Sequence, residues 1–518
     1  MNKNYIKRSI VPCIMASTMI YTLSSCTEGF QEENRPGECL SSEELNRDNY
    51  TTSSFIVQME NESFPEQENT YQMNQDLIGN TLGRFFTYAN NSFAEKNFAK
   101  FNAPDGWVSY PYKDSQPKTV SAFKAIARLT NKQGVMYALA LIMRAANFLR
   151  LTDMYGPLQI GAVKDNPNAY SSQEDVYKSL IKDLDEATSI IKPLLLIKPN
   201  LTVAEEYDKV YKGNCAKWEK YANSLKLRMA IRMRFVAPDL AKQIGEKAVQ
   251  DGVITKNEDN CTIEYSPNGL YKTSVEWGDT RAAADIESYM TGYKDPRLMK
   301  YFNATATQGT RPVIGCRVGA KIGNKAVAVK LYSSANVTKD TRGVWLSASE
   351  MAFCRAEGAL ANWANMGGTV EELYNEAIRL SFEQWGAKGA DDYINNNTLK
   401  QADYVDAAGG YGANASAVST ITIKWNNNAT EEEKMERLIT QKWIALYPDG
   451  QEGWCELRRT GYPKVFPVAQ STGSTLQVPN RIPFAHDEIT QNKNNYEKAV
   501  KMLRGGQDNY EAKMWWQK

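Results

Sequence analysis

The residues best suited to chemistry form three groups: one imidazole, several carboxylate pairs, and aromatic rings beside amides. His486 is the single histidine of the chain, in Ile482-Pro483-Phe484-Ala485-His486-Asp487-Glu488. One imidazole excludes zinc sites built from several histidines, and leaves a His-based triad only if His486 carries it alone. Its surroundings read as a loop near acids, where a solvated or hydrogen-bonded role suffices. Glu276 with Asp279, and Asp285 with Glu287, flank Trp277 and have the composition of a glycosidase pair. With 60 acidic residues in the chain, such pairs also arise freely. No Gly-rich phosphate loop, dinucleotide fingerprint or Gly-x-Ser-x-Gly elbow occurs.

Binding chemistry is better represented. Pro104, Gly106 and Pro111 make residues 101–112 read as a loop. Trp107, Tyr110 and Tyr112 offer flat faces there, and Asn102 offers an amide. Residues 265–279 repeat the combination with Tyr271, Glu276 and Trp277. Sugars present C–H patches that stack on aromatic faces, and hydroxyls that suit Asn, Asp and Arg. The competing reading is that these rings cover the core beneath loops.

These residues need a scaffold, and helical periodicity dominates the chain. Apolar spacing predicts helices over 133–154, 175–191, 217–235, 347–363, 369–385 and 431–447. In 217–235, Lys220, Lys226, Arg228, Arg232 and Arg234 mark a solvated or ion-paired side. Ser347 and Glu350 have capping-box spacing. The Ala-rich hairpin containing Ala356, Ala359 and Ala377 resembles tetratricopeptide packing without its full signature. The intervening segments, about 90–130, 255–345, 387–428 and 464–515, read as long loops, with short strands expected at 313–315 and 326–329. The fold class expected is therefore mostly α: tetratricopeptide-like helix pairs with a loop-rich ligand-binding part.

The N-terminus reads as an address. Lys3, Lys7 and Arg8 precede an apolar run of about 14 residues, too short for a spanning helix of about 20. Leu23-Ser24-Ser25-Cys26 resembles the bacterial lipobox, which makes Cys26 the lipidated first residue of the mature chain. The domains expected are a signal peptide over 1–25, a polar, acidic tether over 26–49, and a binding domain over 50–518. No later segment is apolar for 18 residues, so the body is expected to lie beside a membrane.

Composition narrows the class further. The chain has 518 residues with 61 Lys and Arg against 60 Asp and Glu. Without the first 25 residues the balance is 58 to 60, which carries no electrostatic footprint for nucleic acid. Eight cysteines lie at irregular gaps without a Cys-x-x-Cys pair, so metal ribbons are disfavoured and buried thiols expected. One disulfide remains open. The 28 Tyr, 16 Phe and 11 Trp are many for simple core filling.

Several motifs together resemble the SusD/RagB family. They are Arg150-Leu151-Thr152-Asp153-Met154-Tyr155-Gly156-Pro157-Leu158, Asp295-Pro296-Arg297-Leu298, the run from Leu438 to Trp454, Arg458-Arg459-Thr460-Gly461-Tyr462-Pro463, and Arg481-Ile482-Pro483-Phe484 through Asn495-Tyr496. The resemblance implies a cell-surface, outer-membrane lipoprotein that pairs with a SusC-type TonB-dependent transporter and acts as its lid. It implies oligosaccharide cargo, sometimes peptide, and neither catalysis nor a required cofactor, although some members bind calcium. By analogy of region, Trp107 and Asn102 fall in a first ligand loop, and Tyr271 and Trp277 in a second. Peptide capture, or less directly a glycan-active enzyme or a scaffold, are the other functions the residues leave open.

Overall fold

A computed structural model describes residues 50–93, 95–161, 166–305, 311–470 and 473–518. Cys13, Cys26 and Cys39, with the signal and most of the tether, lie outside the described residues. Ten long helices carry the architecture. They are α1 (Tyr50–Ser63), α2 (Asp105–Leu129), α3 (Gly134–Tyr155), α4 (Gln173–Ile197) and α5 (Cys215–Met233). Then come α6 (Pro238–Asp251), α7 (Ala348–Leu360), α8 (Val370–Gln384), α9 (Glu431–Leu446) and α10 (Gly450–Thr460). Neighbours in sequence pack as pairs: α3 on α4, α5 on α6, α7 on α8 and α9 on α10. Two short antiparallel ladders tie the loops together: β1 (Phe86–Tyr88) with β3 (Thr280–Ala282), and β2 (Cys261–Ile263) with β4 (Gly343–Leu346).

Local chemistry explains the helix starts. Ser172, Asn214, Ser347, Thr369, Thr430 and Asp449 each accept a backbone N–H of the first turn. Thr369 with Glu372 and Thr430 with Glu433 form full capping boxes. The expected box at Ser347 is only half made. Ser347 Oγ accepts from Glu350 N at 3.1 Å, but the Glu350 carboxylate faces Arg228 instead.

α3 is apolar nearly all round, as a helix buried on every side must be. Its mean hydropathy and length are those of a helix that could cross a membrane, but Arg144 and Arg150 interrupt the apolar run. Most of its apolar window, 78%, is buried inside the protein.

The basic side of α5 is ion-paired, and much of it is buried. Arg228 makes two bonds to Glu350, at 2.7 and 2.6 Å, and approaches Glu452 at 3.5 Å. Arg232 joins Asp153 to Glu452. A second knot links Arg459 to Glu357 at 2.6 Å and to Glu456 at 2.5 Å, while Lys442 reaches Glu456 at 2.9 Å. The arginines hold Glu357, Glu452 and Glu456 below the usual carboxylate range although burial alone would raise them. Asp153, Lys442, Glu452 and Arg459 of the family-like motifs sit in these knots, which makes those four architectural.

Two sequence expectations are corrected. Residues 105–129 form α2, so the predicted loop over 101–112 ends at Pro104. Val108, Tyr112, Ser115, Thr119, Ala122 and Ile126 are buried at helical spacing, and that stripe outweighs Pro111 and Pro117. Residues 326–329 belong to a helix, Lys325–Leu331, because Asn324 Oδ1 accepts from Ala326 N and Val327 N. At 313–315 there is no strand, only a bridge from Ala283 to the next residue, Cys316.

Candidate functional site

Trp107 and Tyr110 lie half-buried in the first turns of α2, whereas Tyr112 is buried with its ring edge-on to Tyr155. Trp107 closes a cluster of rings: Phe93 at 5.0 Å, Phe98 at 6.2 Å and Tyr88 at 6.3 Å between centroids. Asn102 is exposed, but its amide shapes the preceding loop. Nδ2 donates to Glu95 O at 3.1 Å, and Oδ1 accepts from Asn97 N at 3.1 Å.

Tyr271 opens a single wide helical turn, Tyr271–Glu276, immediately before Trp277. Both rings are half-buried. The Lys272 ammonium lies 5.5 Å from the centre of the Trp277 ring and is held by Glu276 at 2.5 Å and Glu68 at 3.4 Å.

The ladder between β1 and β3 brings these two regions together, with Tyr88 opposite Thr280. Asp279 is the knot beside it. Its Oδ2 accepts from Gln72 Nε2 at 2.8 Å, and its Oδ1 from Asn90 Nδ2 at 2.8 Å and Lys325 Nζ at 2.5 Å. Its backbone oxygen accepts from Ala89 N at 2.8 Å.

A broad open depression of about 620 Å³ adjoins this knot, lined by Asn91, Gly323, Asn324, Lys325, Ala326, Val329 and Lys330. Gly278, the residue after Trp277, stands beside it: a Cβ there would lie 2.9 Å from Val329 Cγ2. Half-buried Tyr411 stands beside Gly323, 3.2 Å from the corresponding Cβ position. The lining is thus aliphatic at Ala326 and Val329 and carries amides and ammonium groups at Asn91, Asn324, Lys325 and Lys330. Such a surface suits a ligand with apolar faces and many hydroxyls. Asn91, Lys325, Lys330 and Tyr411 went unnoticed in the sequence. The Asn-capped helix start at 324 was the one available signal for two of them.

The carboxylate pairs have other partners. Glu276 is engaged by Lys272 and Asp279 by Lys325. Asp285 accepts from Phe466 N at 2.7 Å, and Glu287 pairs with Arg311 at 3.1 Å. His486 is exposed at the start of a short helix, His486–Gln491. The cysteines 215, 261, 316, 354 and 455 are free and buried. Asp153, Glu452 and Cys455 stand close enough to share a cation. Arg232 already bridges both carboxylates, and burial pushes the Cys455 thiol up to about 12. This cluster is therefore a filled ionic site.

Comparison with known proteins agrees with the motifs. The family of SusD and RagB outer membrane lipoproteins matches residues 32–517. A SusD-like protein from Bacteroides thetaiotaomicron is 35% identical, covering 90% of this chain and 98% of its own, with a TM-score of 0.85. A SusD homologue from Bacteroides uniformis is 35% identical over 91% of this chain and all of its own, with a TM-score of 0.84. A chitin-binding SusD homologue from Flavobacterium johnsoniae is 34% identical over 90% and 98%, with a TM-score of 0.84. No curated protein matches the chain. The chain belongs to the SusD-like family, and its fold is the mostly α fold of that family.

Proposed function

We propose that the protein is a non-catalytic, cell-surface lipoprotein that captures oligosaccharides and passes them to a SusC-like TonB-dependent transporter. Cys26 carries the lipid that anchors it in the outer membrane. The observation that carries the glycan reading is the whole-length likeness to a relative described as chitin-binding, at 34% identity. The depression supports it with the mixture of rings, amides and aliphatic floor that sugars use. In this reading Trp277, Tyr271 and Tyr411 contact the sugar faces, and Asn91, Lys325 and Lys330 reach its hydroxyls. Trp107 and Tyr110 border the first loop, and Asn102 holds that loop in shape. No cofactor is required, and no group of residues is assigned to calcium. Anchoring binder and transporter in one membrane raises their effective concentration, so weak capture is sufficient.

The test is a glycan-array screen of residues 27–518 made without signal or lipid. Selective binding of one glycan class supports the reading. Binding of mixed oligopeptides and no glycan replaces it with peptide capture. Product formed from a bound glycan overturns the non-catalytic assignment.

A further inference from the structure

We propose that one end of the helix array seats on the lipid surface, through an exposed apolar tip at the end of α4. The proposal rests on the lipoprotein reading above, which supplies the membrane. In the tip sequence Pro193-Leu194-Leu195-Leu196-Ile197-Lys198, Leu196 is 82% exposed and Ile197 84%.

The helix directions gather more of the same surface at that end. Tyr177 donates to Asp153 at 2.6 Å and Arg144 pairs with Asp183, so α4 runs antiparallel to α3. The last turn of α4 is therefore level with the first turn of α3. Leu129, 44% exposed, ends α2 just before α3 begins, and so lies at the same end. Arg128, Lys132, Lys192 and Lys198 are exposed there too, with Lys192 paired to Asp251 at 3.0 Å. Glu205 and Glu206, in the loop after α4, are the nearby acids in sequence. Bases around an apolar tip suit anionic headgroups above acyl chains.

The course of the chain says why a bilayer would be met there. Asn147 Nδ2 of α3 donates both to Glu62 O of α1 and to Ser115 Oγ of α2, whereas Gln58 Nε2 of α1 donates to Lys118 O of α2 at 3.2 Å. Moving back along α1 thus moves forward along α2, towards Leu129. The compact unit that begins at Thr52 therefore starts towards the end that carries the tip. The 25 residues 27–51 separate Cys26 from that start, a reach of about 80 Å when extended. The chain that leads back to the lipid anchor thus enters the unit Thr52–Lys518 towards the end that carries the tip.

The test is cosedimentation of residues 27–518, which contain the whole unit Thr52–Lys518, with vesicles of phosphatidylethanolamine and phosphatidylglycerol. Binding is expected, weakened about tenfold or more by L196E/I197E, and weaker on phosphatidylcholine vesicles. Thermal melts and glycan-array binding of the double variant should match the wild type, so misfolding and failure of the glycan reading are each seen separately. No vesicle binding by the wild type, or equal binding by the variant, overturns the proposal. Unchanged vesicle binding with lost co-purification of the transporter overturns it too, and assigns the tip to a protein partner.

Discussion

Trp107 and Trp277 have similar sequence surroundings, but their contacts differ. Trp107 packs against three other rings, whereas half-buried Trp277 meets the Lys272 ammonium. Trp277→Ala should therefore weaken glycan binding about tenfold or more while leaving the melting temperature nearly unchanged. Trp107→Ala should instead lower stability by about 2–3 kcal/mol. Calorimetric titration beside thermal melts of both variants separates the roles, and equal affinity in Trp277→Ala would remove that ring from the site. A second residue-scale consequence is pH dependence. Burial, and then the neighbouring Asp208, push the Glu60 carboxyl well above its ordinary range. Asp208 is satisfied as a carboxylate by Val210 N, Tyr211 N, Gly213 N and Trp218 Nε1, so the proton resides on Glu60. A raised acid favours the folded state below the unfolded value near 4.5, and that stability is lost as pH rises towards the folded value. The loss is up to about 1.4 kcal/mol for each pH unit. Glu60→Gln keeps a donor towards Asp208 and should flatten the slope in urea melts between about pH 5 and 8. Glu62 and Glu66, each pushed up to about 7 by burial, and Asp76, pushed up to about 6, contribute to the slope that remains.

At the scale of elements, the run Tyr447-Pro448-Asp449-Gly450 is explained by a close approach of two backbones. The wide helix Gln72–Asn80 and the turn after it press on the start of α10. A Cβ on Gly83 would stand 2.2 Å from Gly450 O, and one on Gly450 would stand 2.3 Å from Asn80 Cα. Backbone atoms cannot step aside as a side chain can. Gly83→Ala should therefore cost about 3 kcal/mol or more. Gly106→Ala, in open space at the start of α2, should be neutral or stabilising by about 0.5 kcal/mol. Denaturant melts of the two variants check this, and a mild Gly83→Ala would mean that the contact is loose. Such motifs were legible in the sequence because contact packing restricts residue type. The long helices were legible for the same reason, through the apolar stripe each turns to the core. α2 was masked by Pro111 and Pro117, whose local signal hid a correct stripe. The depression was not legible at all. It depends on Asp279 meeting Asn90 and Lys325 across a strand pair, a juxtaposition that no local pattern carries.

For the whole molecule, the question is whether the helix pairs unfold one after another, as stacked repeats can. The C-terminal segment argues that they do not. Trp516 is fully buried, and its Nε1 donates to Asp153 at 2.9 Å, the same carboxylate that takes Tyr177 from α4 and Arg232 from α5. Gln517 Nε2 donates to Arg458 O at 3.2 Å and to Asn480 Oδ1 at 2.9 Å. Arg481 in turn donates to Tyr155 O at 2.9 Å, at the end of α3. The last residues thus close over α3, α4, α5 and α10 together, and opening one pair exposes a buried carboxylate shared with others. Leaving such a charge unpaired costs several kcal/mol, more than a single helix contact returns. The unit Thr52–Lys518 should therefore melt in one transition. Deleting Met514–Lys518 should lower its melting temperature by about 5 °C or more, because a buried Trp and a donor to Asp153 leave together. Calorimetry of both chains tests this. Two separated transitions in the intact chain would show that the helix pairs are held as independent blocks despite the shared carboxylate.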